Sequence, residues 1–185
     1  MTKAPILYSF RRCPYAIRTR IFIKLCQIKV ELREVHLKNI PQEMKNISPK
    51  STVPVLEFSD GNLLEESLDI MNWAININDS CKLKKSKLDN LEKTQKILHM
   101  IDGPFKYQLD RYKYNSRYEN IKSPEYFRDK AIELLNDVEK ELLNNNLWIF
   151  NNEPSYLDLA ILPFIRQFRI ADISWFDNEM PLKKV

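Results

Sequence analysis

An α/β first half followed by an all-helical second half is predicted from three features of the 185-residue chain. Strand-like runs occur only before Glu65, where they alternate with helical patterns in the order βαβαββα. A polar, basic stretch, residues 79–87, then interrupts the patterning and reads as a linker. Beyond it every apolar pattern has helical spacing. The expected domains are therefore 1–78, a linker over 79–87, and a helical domain over 88–185.

Ile6 to Ser9 is a short apolar strand, and a helix follows from Pro14 to about Gln27. Proline suits the first helical position, where its missing N–H is not needed. Ile17, Ile21, Leu25 and Ile28 recur at helical spacing, with Phe22 and Cys26 widening the stripe. Val30 to Leu37 alternates Val30, Leu32, Val35 and Leu37 with charged residues, a second strand, so the opening reads as a parallel βαβ unit. Pro41 to Lys45 is a short helix candidate. Thr52 to Phe58 is a strand reached through the Val53-Pro54 bond, and Asp60-Gly61 marks a hairpin turn to Leu63-Leu64. A helix then opens at Glu65-Glu66-Ser67 and runs to about Asn76. This order is the thioredoxin-like arrangement.

In the second half, Leu88 to about Tyr114 is helical in pattern and broken at Gly103-Pro104, because proline removes a helical hydrogen bond. Ser123-Pro124-Glu125 starts another helix, to about Asn144, with Leu134, Leu135, Val138, Leu142 and Leu143 as its buried face. Ser155-Tyr156-Leu157-Asp158 has the form of a capping box before an apolar helix over residues 159–170. The tail from Trp175 to Val185 reads as irregular.

The chemistry points to Cys13, which falls at the N-cap of the first helix, where backbone N–H groups and the dipole favour an anion. A thiolate is the nucleophilic form, and Arg11 and Arg12 add positive charge nearby. Cys26 lies on an apolar helical face and reads as core, and Cys81 as an incidental exposed thiol. Three unclustered cysteines argue for reduced thiols in a cytoplasmic protein, and Met1-Thr2-Lys3 leads into the first strand with no signal-peptide pattern. Ala16, three residues after Cys13, removes the second cysteine a dithiol mechanism needs. Two glycines in the whole chain exclude Gly-rich phosphate loops. No apolar run reaches membrane-spanning length. His36 and His99 have no metal-ligand spacing, so no metal is expected.

Several features have a plain structural explanation beside a functional one. Glu66-Ser67 could be only a favourable helix start, and Val53-Pro54 only a trans bond leading into a strand. The basic-aromatic run containing Tyr107, Arg111 and Tyr114 could be a nucleic-acid surface, a solvated helix end, or a wall of a second-substrate cleft. The net charge of +4 is small for the first, so no nucleic acid is expected, and the cleft is preferred.

The chain resembles the cytosolic glutathione transferases, nearest to the cysteine-type, omega-like and glutaredoxin-2-like members, as a bacterial-type two-domain protein with a short C-terminus. The resemblance rests on Cys13-Pro14-Tyr15-Ala16, Thr52-Val53-Pro54-Val55-Leu56, Glu66-Ser67, Asp102-Gly103-Pro104-Phe105-Lys106 and Ser155-Tyr156-Leu157-Asp158-Leu159-Ala160. It implies a glutathione site in which Cys13 meets the glutathione sulfur and Val53 pairs its backbone with the cysteinyl unit beside a cis Val53-Pro54 bond. Glu66 and Ser67 would bind the γ-glutamyl end. Omega-like members carry a lysine where this chain has Ile40, and Lys38 is the nearest substitute for the glycyl contact. The family's last helix is absent from the sequence. The function implied is a glutathione-dependent thiol transferase or reductase with glutathione as co-substrate, acting on a small or peptidyl disulfide or electrophile. A homodimer is the assembly to test, with no membrane partner. The alternative is a glutathione-transferase fold used as a non-catalytic binding or regulatory module.

Overall fold

The computed structural model describes residues 3–119, 122–145 and 147–185, so Met1 and Thr2 of the expected first domain lie outside the described residues. The chain divides into two compact units, one ending at Lys84 and one running from Lys85 to Val185.

The first unit contains β1 (Ile6–Ser9), α1 (Pro14–Leu25), β2 (Glu31–Glu34), α2 (Gln42–Ile47), β3 (Val55–Glu57), β4 (Leu63–Leu64) and α3 (Ser67–Ile77). The four strands form one sheet in the order β2-β1-β3-β4. β1 is parallel to β2, with Ile6 opposite Glu31, and antiparallel to β3, with Tyr8 opposite Val55. β3 and β4 are antiparallel, with Leu56 opposite Leu64. This is the thioredoxin-like arrangement.

Alternation along β1 divides the core. Ile6 and Tyr8 pack with Val35, Met44, Val53 and Val55, while Leu7 packs with Ile23, Leu56 and Ile70. Ile70 and Met71 of α3 are wholly buried, each worth roughly 2 kcal/mol of apolar transfer.

The buried face of α1 differs from the one its periodicity suggested. Ala16, Arg18, Thr19, Phe22 and Ile23 are buried, whereas Ile17, Ile21, Leu25 and Ile28 are only partly so. Two neighbours, the sheet and α3, load the helix from different sides, and a single stripe cannot describe that. β2 and β3 are also shorter than their apolar runs. The ladder pairs only residues with a partner on β1, so Val30, Val35 and Leu37 fall outside β2.

The helix α4 (Leu83–Asp89) occupies part of the stretch read as a linker, with the Asp79 carboxylate accepting the Leu83 and Lys84 N–H groups at 2.7 and 3.0 Å. The second unit continues with α5 (Leu91–Met100), α6 (Lys106–Lys113), α7 (Pro124–Asn145), α8 (Tyr156–Ala171) and α9 (Ile173–Asn178). α5 and α6 do not break at Gly103-Pro104. A π-helical turn, Ile101–Phe105, joins them, and the Lys106 N–H reaches back to the Ile101 carbonyl. One extra residue in the turn absorbs the missing proline N–H, so the helix continues. The capping box at α8 is formed: Ser155 Oγ accepts from the Asp158 N–H, and Asp158 Oδ2 accepts from the Ser155 N–H at 2.8 Å. The tail is not wholly irregular, because Asp172 accepts the Trp175 N–H at 3.0 Å and starts α9.

Candidate functional site

Cys13 is the N-cap of α1, with φ −78° and ψ 122°, and Pro14 opens the helix. The turn before it is tied at several points. The Cys13 N–H donates to the Phe10 carbonyl at 3.0 Å. The Arg11 N–H donates to Glu34 Oε1 at 2.9 Å, and Arg20 donates to the Arg11 carbonyl and to Ser9 Oγ, each at 3.3 Å. Arg20, nearly two turns along the helix, is thus a positioning residue that spacing alone did not single out. Of the two arginines before Cys13, Arg12 lies over the Phe10 ring, 5.3 Å from its centre.

The thiol is half-buried and, like Phe10 and Ile40, packs against the cluster that holds Tyr8 and Val53. Its S–H donates to the Val53 carbonyl at 3.6 Å. The Val53-Pro54 peptide is cis. Among the described residues, no hydrogen bond uses the Val53 N–H. Cys13, Val53 and Pro54 therefore share one corner.

The start of α3 forms a second corner. Glu66 is its N-cap and Ser67 its first residue. Ser67 Oγ accepts two hydrogen bonds from Arg18, at 2.9 Å from Nε and 2.7 Å from Nη2. Arg18 is only 1% exposed and lies 5.1 Å from the centre of the Tyr15 ring. With its lone pairs met by the guanidinium, the Ser67 hydroxyl keeps its own O–H to donate, which suits an anion at the helix start. Arg18 carries no signal in the sequence, since an arginine on a helix is ordinarily solvated. Its two bonds to Ser67 tie α1 to α3.

Glu66 is paired with Lys50, Nζ to Oε1 at 2.9 Å, and this hydrogen bond and charge push the Lys50 ammonium pKa up. Its neighbour Glu65 accepts from Ser48 Oγ at 2.6 Å. Lys38 is exposed on the turn between the bridged residues His36 and Asn39. Ile40 turns inward onto the cluster that holds Cys13 and Val53.

The other two cysteines have different surroundings. Cys26, at the C-cap of α1, is 2% exposed, and burial pushes its thiol up to about 11. Cys81 is exposed, and no disulfide joins any of the three. Tyr8 donates to Glu57 at 3.2 Å, and burial followed by the Glu57 charge pushes its phenol up. In the second unit, Arg111 lies 3.4 Å from the Tyr107 ring centre and 4.5 Å from that of Tyr118. Tyr114 receives Arg117 at 4.1 Å. Each of these is a cation–π contact within the second unit. Among the described residues, no group of three or more His, Cys, Asp or Glu could hold a metal ion, and no helix is long and apolar enough to cross a membrane.

Residues 7–80 match the family described as "Glutathione S-transferase, N-terminal domain". A probable glutathione transferase omega-2 of Caenorhabditis elegans is 29% identical over 182 residues, covering 96% of this chain and 68% of that protein. Mouse (Mus musculus) glutathione S-transferase omega-1 is 42% identical over 62 residues, covering 34% of this chain and 26% of its own. Among solved structures, a glutathione transferase family member from Pseudomonas fluorescens, with two glutathione bound, superposes with a TM-score of 0.72 at 19% identity, covering 95% of this chain and 84% of that one. At that identity the likeness is one of fold. The cysteine at a helix start beside a cis X-Pro bond and the thioredoxin-like sheet that carries it agree with the match over residues 7–80: the first unit matches a glutathione S-transferase N-terminal domain, and the chain is similar along its length to an omega-class glutathione transferase.

Proposed function

We propose that this protein is a glutathione-dependent thiol transferase in which Cys13 is the single catalytic thiol. The observation that carries this reading is the placement of Cys13 Sγ at the N-terminus of α1, 3.6 Å from the carbonyl of the residue before a cis proline. Helix N-termini favour a thiolate. Ala16, fully buried one turn into α1, offers no second sulfur, so a thiol from solution must complete the cycle.

In the first step the Cys13 thiolate attacks the glutathionyl sulfur of a mixed disulfide. A Cys13–glutathione disulfide forms, the original S–S bond breaks, and the leaving thiolate takes a proton from water. In the second step a glutathione thiolate attacks the glutathionyl sulfur on Cys13. Oxidised glutathione leaves and the Cys13 thiolate returns. One substrate disulfide is reduced and two glutathione units end as one disulfide.

Glutathione would lie with its cysteinyl backbone on the Val53 N–H and C=O, next to Pro54. Its γ-glutamyl end would meet Glu66 and the Ser67 hydroxyl, the latter oriented by Arg18. Lys38 is the cation for the glycyl carboxylate, reached by movement of its exposed side chain. The second substrate is a small or peptidyl disulfide or electrophile, with Tyr107, Arg111 and Tyr114 as the helical domain's candidates for contacting it. Reduced cysteines suit a cytoplasmic setting, and a homodimer is the assembly to look for.

Turnover of a glutathionylated peptide tests the reading. Cys13→Ser is expected to lose roughly a hundredfold or more, while Cys81→Ser keeps wild-type turnover. Retained turnover in Cys13→Ser overturns the mechanism, and absence of turnover in the wild type leaves a non-catalytic binding module as the alternative.

A further inference from the structure

We propose that Lys50 is a specificity-determining residue of this site, acting with Glu66 to recognise the zwitterionic α-amino-acid end of a γ-glutamyl ligand. The proposal rests on the glutathione-binding role above and extends it to a residue outside the set that the family resemblance supplies.

Lys50 is held on a tight turn. The Ser51 N–H donates to the Ser48 carbonyl at 3.0 Å, and Ser51 adopts a left-handed φ of +54°. Two residues later the chain reaches Val53, so the turn adjoins the sulfur corner. From this turn Lys50 Nζ reaches Glu66 Oε1 at 2.9 Å. Both side chains are more than half exposed, at 57% and 67%, so each keeps hydrogen-bonding capacity facing solvent. Glu65 is engaged by Ser48, which leaves Glu66 as the carboxylate hydrogen-bonded to Lys50. Ser67 follows Glu66 at the start of α3, with its hydroxyl on Arg18.

An ammonium and a carboxylate fixed at this separation form a dipole. The α-ammonium and α-carboxylate of a γ-glutamyl residue form another. Docked antiparallel, the ligand ammonium meets Glu66 while the ligand carboxylate meets Lys50 and the Ser67 hydroxyl. Opposite charges then alternate around a ring, and no contact in the structure has to break. An exposed ion pair by itself contributes little to stability. Its effect is therefore read in ligand choice, because charge-assisted hydrogen bonds to a ligand are stronger than neutral ones.

Calorimetric titration of the full chain with S-methylglutathione, whose blocked sulfur cannot exchange with Cys13, tests this. Its des-carboxy analogue, 4-aminobutyryl-S-methylcysteinylglycine, is titrated alongside. The wild type is expected to bind the analogue about tenfold more weakly than S-methylglutathione. Lys50→Gln should weaken S-methylglutathione by about five- to tenfold and narrow the gap between the two ligands to about threefold or less. Lys50→Arg should restore the gap. If Lys50→Gln binds S-methylglutathione as tightly as the wild type, or keeps the full gap, the proposal is overturned and the ion pair only fastens the turn to α3. If the wild type binds neither ligand, the glutathione-binding role itself fails, a result separate from an unchanged Lys50→Gln.

Discussion

Cys13 and Cys26 cap the two ends of the same helix, α1, and their chemistry diverges. Cys13 stands at the N-terminus, half-buried, with its S–H on the Val53 carbonyl. Cys26 stands at the C-terminus, 2% exposed, its thiol pushed up to about 11 by burial, with Asp79 and Cys81 adding to the effect. The residue type is the same and the helix is the same. What differs is the sign of the helix end, which favours an anion at the first position and disfavours it at the second, and access to solvent. In the proposed function, reactivity is set by placement.

The sharpest way to break the contrast is oxidised glutathione. Incubation of the folded protein followed by peptide mass mapping should find a glutathione adduct on Cys13 and none on Cys26. Unfolding in denaturant should abolish the distinction. An adduct on Cys26 in the native protein would remove the basis for treating the two ends differently.

Arg18, between the two cysteines, tests whether α1 also organises the second corner of the site. Arg18→Ala removes two charge-assisted hydrogen bonds to Ser67 and leaves a void, and should cost roughly 2–4 kcal/mol in urea unfolding. A cost below about 1 kcal/mol would mean that Ser67 is not held from α1.

The smallest effect belongs to Cys26 itself. Its folded value of about 11 lies above the ordinary value of 9.0, so the folded state holds the proton more tightly than the unfolded state. That contribution is complete below pH 9 and is lost as pH rises toward 11. Thermal midpoints should fall over that range in the wild type and fall less in Cys26→Ala. Equal slopes in both proteins would place the alkaline loss elsewhere.

Local features were legible from the chain alone. Pro14 after an apolar strand placed Cys13 at a helix start, because proline fits the first helical position and little else nearby. Ser155 and Asp158 located the start of α8, since a capping box closes within four residues. The hairpin at Asp60-Gly61 was equally local: Gly61 takes a positive φ of +86°. What failed were inferences along a single helix. Gly103-Pro104 read as a break, and the π-helical turn absorbs it. The apolar stripe of α1 read as Ile17, Ile21, Leu25 and Ile28 widened by Phe22 and Cys26; Phe22 and Cys26 are buried, but Ala16, Arg18, Thr19 and Ile23 are buried in place of the other four.

The order of elements, the position of the sulfur at a helix start and the lack of a second cysteine on that helix all follow from neighbours in sequence, where propensity and capping act. The cis state at Val53-Pro54, the burial of Arg18 under Ser67, and the pairing of Lys50 with Glu66 were decided only in the folded chain. The partners in the last two are 49 and 16 residues apart, and an X-Pro bond is too evenly balanced between isomers for its own sequence to choose. Packing α3 against α1 brings Arg18 to Ser67, and the turn before β3 brings Lys50 to Glu66, contacts that local rules cannot see.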